Sequence, residues 1–202
     1  ETRGALEGLA QKVRDLRGGD ALVPVMVDLA ISDFRIYGPV SGLYPGGLIR
    51  HRFREGNRHL VALWVTHLGL DCLSGVSGSP RPPLSAMCTG RSDCIFDCPE
   101  DSPKLLGELL EIYWQGLRRP VPFFPNSSWA YAEAMTKGKD NPGEDARKCW
   151  EGNDYNYGET QDPYMRRCFP VFDPQGSDEF ARIAETVVMP ALSRKRGRKK
   201  AS

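Results

Sequence analysis

The stretch FRIYGPVSGLYPGGLIRHRFR, Phe34 to Arg54, decides the fold. It contains two runs of aliphatic, aromatic and β-branched residues, and a third run, VPVMVDLAI, precedes it. Ser-Asp and Pro-Gly pairs separate the three runs, and such pairs are typical of tight turns between strands. The pattern therefore predicts an antiparallel meander of three strands, at Val23–Ile31, Phe34–Tyr44 and Gly47–Phe53.

Apolar residues recur with a helical period on both sides of this meander. Before it, Arg3–Arg17 shows an amphipathic pattern that ends at Gly18-Gly19. After it, Asn57 is a good N-cap for a second helix with one apolar face. That face comprises Leu60, Val61, Trp64, Val65 and Leu68.

The rest of the chain predicts a loop at Ser74–Pro83, one further strand at Ala86–Phe96, and then helices. The helices are one that begins at Ser102-Pro103, two short ones at Trp129–Lys137 and Glu144–Trp150, and a last one capped by Ser177. A meander with a further strand, flanked by helices, is a mixed α/β (α+β) fold.

The net charge of +1 hides an uneven distribution. Six of the 27 basic residues lie between Arg194 and Lys200, which leaves 21 basic against 26 acidic residues elsewhere. A globally basic nucleic-acid binder is therefore excluded, and any DNA contact must come from a local patch or from the terminal run. We predict one domain over residues 1–192 and a basic, disordered tail over residues 193–202.

Membrane and export signals are not found in the sequence. The longest apolar run, Leu22–Ile31, is interrupted by Pro24 and Asp28 and is much shorter than the roughly 20 residues that cross a bilayer. The chain starts at Glu1 without a charged and then apolar leader, so we expect a fragment of a cytoplasmic protein with no signal peptide and no membrane partner. Six cysteines in such a chain are expected to be reduced thiols.

Three of the cysteines are close in sequence, in MCTGRSDCIFDC. Their C-x5-C-x3-C spacing differs from the paired C-x2-C of a zinc ribbon, and a metal or iron–sulfur site would need a fourth thiolate. We favour loop and strand cysteines without metal and keep one candidate cluster open. That cluster is Cys72, Cys88, Cys94 and Cys98.

Other common chemistries lack their motifs. The sequence has no G-x-x-x-x-G-K-[ST] phosphate loop and no G-x-S-x-G elbow. His51, His59 and His67 fall on a predicted strand, a helix start and a helix, so we do not expect them to converge on one metal ion. We therefore expect no cofactor.

The order αβββα with a further strand resembles the start of the restriction-endonuclease-like, or PD-(D/E)xK, nucleases. The resemblance implies an Asp at the end of the second strand and an acid-x-Lys pair on the third, which together hold Mg²⁺ and orient the attacking water. The matching positions here are Ser41 and Arg50-His51-Arg52. Because Phe34–Arg54 contains no Asp or Glu, a divalent cation would be repelled there. The pattern predicts a nuclease-like domain without catalytic residues.

Two groups of residues could contact DNA. Arginines on a strand and at the following helix start suit phosphate contacts, and a solvated or ion-paired strand edge is the alternative. These candidates, which have His51 and His59 as neighbours, are Arg50, Arg52, Arg54 and Arg58. Aromatic residues leave a similar choice between base stacking and burial in a core or interface, and we favour burial. They are Trp129, Tyr131, Trp150, Tyr155, Tyr157 and Tyr164.

The segment Leu106–Ala134, LGELLEIYWQGLRRPVPFFPNSSWAYAEA, combines Y-x-x-G-L with P-x-P-F-F-P and a serine-rich helix start. It resembles the C-terminal part of the RecC family, the gamma subunits of exodeoxyribonuclease V. The cysteine-rich segment Cys88–Cys98 departs from that pattern. Shorter motifs resemble the rest of the signature, and they are Trp150-Glu151-Gly152, Gly158-Glu159, Asp162-Pro163-Tyr164, Phe180-Ala181 and Pro190-Ala191-Leu192.

The resemblance implies a non-catalytic domain of the RecBCD helicase–nuclease, which processes double-strand breaks for recombination. It further implies RecB-like and RecD-like partner subunits and a place on the DNA path. Two alternatives stay open. One is a working nuclease whose carboxylates come from elsewhere, such as Asp28 or Asp33, or that carries a cysteine-bound cluster. The other is a protein-interaction domain without a DNA role.

Overall fold

The amphipathic segment at the start of the chain forms helix α1, Thr2–Arg17. The helix ends at Gly18, whose φ of 65° suits glycine and whose N–H donates to the Arg14 carbonyl at 3.3 Å. The computed structural model describes residues 2–54, 56–77, 85–90 and 93–197. The predicted first helix and its end are confirmed.

The predicted meander forms two hairpins in two separate sheets. Strand β1, Val25–Ile31, pairs antiparallel with β2, Phe34–Val40. The predicted second strand then breaks, because the backbone takes a positive φ of 75° at Gly42. Its remainder forms β3, Leu43–Tyr44, which pairs with β4, Gly47–His51, in the other sheet.

The second sheet has five strands in the order β3-β4-β5-β6-β7. The single strand predicted at Ala86–Phe96 is in fact two, β5 at Ser85–Cys88 and β6 at Asp93–Phe96, which pair antiparallel. Strand β5 runs parallel to β4. Strand β7, Lys195–Gly197, pairs with β6, so these three residues belong to a sheet rather than to the predicted disordered tail. Residues 198–202 of that tail lie outside the described residues.

Helix α2, Asn57–Ser77, packs against β1 as well as against β5 and β6. Because the helix contacts both sheets, buried residues surround more of it than the predicted face: Leu63 and Leu70 are buried, whereas Val65 is exposed. Ser74–Ser77 continue the helix, so the prediction of a loop was wrong for these four residues. The other residues of the predicted loop, 78–83, lie outside the described part of the chain.

The remaining helices follow the sequence pattern with two differences. Ser177 caps the last helix as predicted, since its Oγ accepts the Phe180 N–H at 3.2 Å. The helix predicted at Trp129 begins earlier, with Pro125 in its first turn. A six-residue helix at Pro163–Cys168 was not predicted, because so short a helix shows no clear periodicity in the sequence. The helices are α3 Ser102–Gly116, α4 Pro125–Thr136, α5 Pro142–Glu151, α6 Pro163–Cys168 and α7 Asp178–Arg194.

The chain divides into two compact units. The first comprises residues 1–107 and 194–202, and the second comprises residues 108–193. The predicted mixed α/β class is confirmed, but the domain predicted over residues 1–192 contains two units. Among the described helices, none is both long enough and apolar enough to span a bilayer.

Phe124 lies at the centre of an aromatic core in the second unit. Its fully buried ring lies 4.3 Å from the ring of Trp150 and 5.0 Å from that of Phe169, measured between centroids. This core, the Phe124 cluster, stabilises the unit through burial of apolar area and ring contacts. Its members are Phe124, Ala146, Trp150, Phe180 and Ala184, with Tyr131, Met165, Phe169 and Phe172 packed around them.

The start of α4 is capped by a residue distant in sequence. Phe124 occupies the N-cap position and has no side chain that could accept a hydrogen bond. Glu159 accepts instead, from the N–H groups of Asn126 at 2.9 Å and Ser127 at 2.8 Å. A carboxylate at a helix N-terminus satisfies free donors and interacts favourably with the helix dipole.

Candidate functional site: a basic cleft beside strand β4

A cleft of about 430 Å³ lies in the first unit, beside β4 and the first turns of α2. Three arginines and two histidines line it, and none of the described lining residues is acidic. We name it the basic cleft. It is lined by Arg17, Gly42, Tyr44, Ile49, Arg50, His51, Arg52, His59, Ala62, Leu63, Thr66 and Met87.

Side chains alternate between the two faces of the sheet along β4, and this alternation determines the face to which its arginine points. Ile49 packs in a core cluster with residues of α1, so Arg50, the next residue, points to the opposite face of the sheet, where Met87 is its partner on β5. Arg52 continues the pairing beyond the strand, since its N–H donates to the Cys88 carbonyl at 2.9 Å. Arg50 and Arg52 therefore lie on the same side of β4.

Gly42 makes room for the Arg50 guanidinium. A side chain at Gly42 would overlap Arg50, and the positive φ of 75° at this position also favours glycine. The Gly42 carbonyl accepts the Ile49 N–H at 3.1 Å, which joins the turn to β4. The glycine that breaks the predicted second strand thus shapes the cleft.

Arg17 enters the cleft from the end of α1. Its guanidinium carbon lies 4.5 Å from the centre of the Tyr44 ring, a cation–π contact. Its carbonyl accepts the Gly46 N–H at 2.9 Å, which fixes the end of the helix against the β3–β4 turn. The Nε of Arg17 is buried and has no hydrogen-bond partner among the described residues.

His59 lines the cleft from the first turn of α2. Burial lowers its pKa below the ordinary value, and the positive charges of Arg52 and Arg58 lower it further. Arg58 Nε donates to His59 Nε2 at 3.3 Å, which requires a neutral ring that accepts at that nitrogen. The imidazole is therefore neutral at pH 7.

The structure brings some of the predicted site residues together and separates others. Four of the predicted residues line the cleft, and they are Arg50, His51, Arg52 and His59. The third histidine, His67, is buried elsewhere and hydrogen-bonds to Ser85 at 2.8 Å. Three other predicted residues do not line it. They are Ser41, which is exposed between β2 and β3, Arg54 and Arg58.

Neither alternative carboxylate reaches the cleft. Asp28 forms a two-pronged ion pair with Arg35 across the β1–β2 hairpin, at 2.8 and 2.7 Å, and this hydrogen bonding lowers the pKa of the Asp28 carboxyl. Asp33 is exposed in the hairpin turn. Neither residue is among those that line the cleft.

The chain is similar to a known protein family and to several curated proteins. A family model described as RecC C-terminal domain matches residues 1–136. The RecBCD enzyme subunit RecC of Mycobacterium tuberculosis strain H37Rv is 30% identical over 146 residues, which cover 68% of this chain and 13% of that protein. The corresponding subunit of Buchnera aphidicola is 23% identical over 183 residues, which cover 84% of this chain and 16% of that protein.

The chain belongs to the RecC C-terminal domain family. The family match ends at Thr136, so it includes the P-F-F-P block and the cleft, whereas the later motifs from Trp150 onward stay a prediction. The matched part of the chain spans only about an eighth of the length of the M. tuberculosis relative.

Two cysteines of the candidate cluster lie on opposite faces of the second sheet. Cys88 lies on the face of the sheet that packs against α1, whereas Cys94 pairs with Met87 and lies on the opposite face. Burial, with a smaller effect of Asp71, raises the pKa of Cys72 to about 11, which keeps the thiol protonated. Among the described residues, no group of three metal-ligating side chains is found.

The aromatic residues singled out in the sequence divide between core and surface. Trp129 and Trp150 are buried, as we favoured, and the Tyr131 hydroxyl donates to Glu185 at 3.1 Å. Tyr155, Tyr157 and Tyr164 are exposed, so they do not belong to the core of the unit, and their burial in an interface with another protein stays a prediction. Sequence reasoning also missed Arg17, Gly42 and Tyr44 of the cleft, because no local pattern links α1 to β3.

Proposed function

We propose that this domain is a non-catalytic module of a RecBCD-type exodeoxyribonuclease V, a cytoplasmic complex that repairs double-strand breaks. The similar proteins are named RecBCD enzyme subunit RecC, and the chain matches one part of them. In the proposed role the domain has a degenerate nuclease fold, contacts RecB-like and RecD-like subunits and lies along the DNA path.

One observation carries this proposal: the basic cleft has arginines where a hydrolytic site would gather carboxylates. Hydrolysis of DNA by this class of nuclease needs two carboxylates that bind Mg²⁺ and so lower the pKa of the attacking water. Arg50 and Arg52 occupy the positions at which the resemblance places the acid and the Lys of an acid-x-Lys pair, and no acidic residue is among the described residues of the cleft. Mg²⁺ would be repelled by this charge.

The first test is DNA cleavage. The purified chain is incubated with linear double-stranded and single-stranded DNA in Mg²⁺ or Mn²⁺, with EDTA as the control. We expect no cleavage above the EDTA control. Cleavage that disappears with chelator, and that survives replacement of Arg50 and Arg52, would show a working nuclease whose carboxylates lie elsewhere.

The second test is assembly. The chain is coexpressed with RecB-like and RecD-like subunits of the same source, and the complex is isolated through a tag on the helicase subunit. We expect the chain to copurify in a stoichiometric amount. If it copurifies but DNA binding is absent at low salt, the domain is an interaction module without a DNA role.

A further inference from the structure

We infer that the basic cleft binds a phosphate group of single-stranded DNA and holds it without cleaving it. The inference deepens the proposed function and rests on the DNA role proposed there. It assigns that role to Arg17, Arg50, Arg52 and His59.

Within the described part of the chain, Arg50 and Arg52 lack the carboxylate partner that some arginines elsewhere have. Elsewhere, Arg35 pairs with Asp28 at 2.7 Å and Arg196 pairs with Asp97 at 2.9 Å. In the cleft, neither Arg50 nor Arg52 forms an ion pair with any described residue. Clustered positive charges with no acidic partner repel one another, and a bound anion would remove that repulsion.

Two arginines of the cleft have surroundings that restrict their side chains. The Tyr44 ring supports the Arg17 guanidinium, and Gly42 makes room for that of Arg50. A planar guanidinium matches two oxygens of a phosphate, so fixed arginines bind with little loss of side-chain freedom. The buried Nε of Arg17, which has no acceptor among the described residues, is one donor that a phosphate oxygen could satisfy.

His59 can report on an anion bound in the cleft. Its pKa is lowered by burial and by the charges of Arg52 and Arg58. A phosphate beside these groups would offset the arginine charges and raise the His59 pKa. This provides a spectroscopic signal that reports on the cleft itself.

The size of the cleft favours a single strand. Its volume of about 430 Å³ lies near the lower end of the range for ligand pockets, about 300 to 1,000 Å³, and so admits a nucleotide-sized group. A duplex is too wide to enter such a cleft. A single strand can bend one phosphate into it while neighbouring nucleotides stay outside.

The test measures binding of fluorescein-labelled dT12 to the purified chain in EDTA, by fluorescence anisotropy at several salt concentrations. We expect Arg50→Gln and Arg52→Gln each to weaken binding about tenfold, the usual effect of losing a charged hydrogen bond. Each variant should also reduce the slope of log K against log salt by about 0.7, the value for one phosphate contact on a single strand. Arg147→Gln is the matched control, because Arg147 is an exposed residue of α5 whose Nε lies 3.8 Å from Glu151 Oε1, and it should change neither quantity.

Unchanged affinity and slope in both cleft variants would overturn the inference. Arg52→Gln keeps the test valid if Arg50→Gln fails to fold, because Arg52 is exposed. Competitors separate the sources of phosphate: full competition by inorganic phosphate in the low millimolar range, or equal affinity for a duplex of the same length, would exclude the single-strand assignment. In NMR titrations dT12 should raise the His59 pKa, and an unchanged value would contradict the site.

Failure of this inference differs from failure of the proposed function. Binding is measured in EDTA, which prevents metal-dependent cleavage of the DNA. The binding of a single strand in the cleft can therefore be measured even if the chain is a metal-dependent nuclease. Loss of the cleft assignment without any cleavage leaves the non-catalytic role intact.

Discussion

The basic cleft and the Phe124 cluster are built in opposite ways. The cluster uses the most specific motif of the sequence, P-F-F-P, whose Phe124 is fully buried against Trp150 and Phe180. The cleft uses residues from α1, β3, β4 and α2 that share no local motif. The comparison teaches that the signature by which the family is recognised records packing, whereas the candidate site depends on charges placed by tertiary structure.

The two regions also differ in what they contribute to stability. Buried aromatic rings stabilise the second unit through the area that they remove from water. Arginines without acidic partners contribute little to the first unit and repel one another. Substitutions should therefore separate stability from binding.

The largest effect is expected for the cluster. Phe124→Ala should lower the free energy of unfolding by about 3 to 5 kcal/mol, since a fully buried ring is lost and leaves a cavity. Urea denaturation followed by circular dichroism measures the change. Tyr155→Ala, an exposed aromatic in the same unit, should change it by less than about 0.5 kcal/mol. Equal effects of the two variants would show that Phe124 is not the centre of that core.

A smaller loss is expected at the turn that shapes the cleft. Gly42→Ala should lower the free energy of unfolding by about 1 to 3 kcal/mol, because alanine is strained at a φ of 75° and its Cβ would displace Arg50. Gly8→Ala is the control, since Gly8 lies exposed within α1 with open space around it, and it should stabilise by about 0.5 to 1 kcal/mol. The same denaturation curves report both, and a neutral Gly42→Ala would refute the role assigned to this turn.

The cap of α4 tests whether polar contacts also stabilise the second unit. Glu159→Ala should lower the free energy of unfolding by about 1 to 2 kcal/mol, because two N–H groups at the start of α4 lose their acceptor. Glu151→Ala removes an exposed carboxylate whose partner Arg147 is 3.8 Å away, and it should have almost no effect. Thermal unfolding of the two variants side by side distinguishes these outcomes.

The smallest effect concerns His59. Its lowered pKa means that the unfolded chain binds a proton more readily than the folded one, so the free energy of unfolding should fall slightly as pH drops through about 6.5. Arg52→Gln should raise the His59 pKa toward its ordinary value, because one repelling charge is removed. NMR titration of the imidazole protons measures both values, and an identical pKa in the variant would contradict the convergence of Arg52 and His59.

Structural features that depend on residues close together in the sequence could be predicted from it. The apolar period of α1 and the cap of α7 by Ser177 follow from neighbours within a few positions, and both are confirmed. Two features could not be predicted in this way. The exposure of Val65 depends on the contacts of one helix with two sheets, and the division of the meander depends on a single backbone angle at Gly42.

The sequence by itself determined the family and the charge of the third predicted strand, because residue types and their order do not change on folding. Only the tertiary structure decided which charges meet. It brought Arg17 to Arg50 and Arg52 and left Ser41 outside the cleft, because side chains alternate along a strand and the end of α1 is fixed against the β3–β4 turn. Contacts between residues so far apart in the chain leave no periodic trace in the sequence.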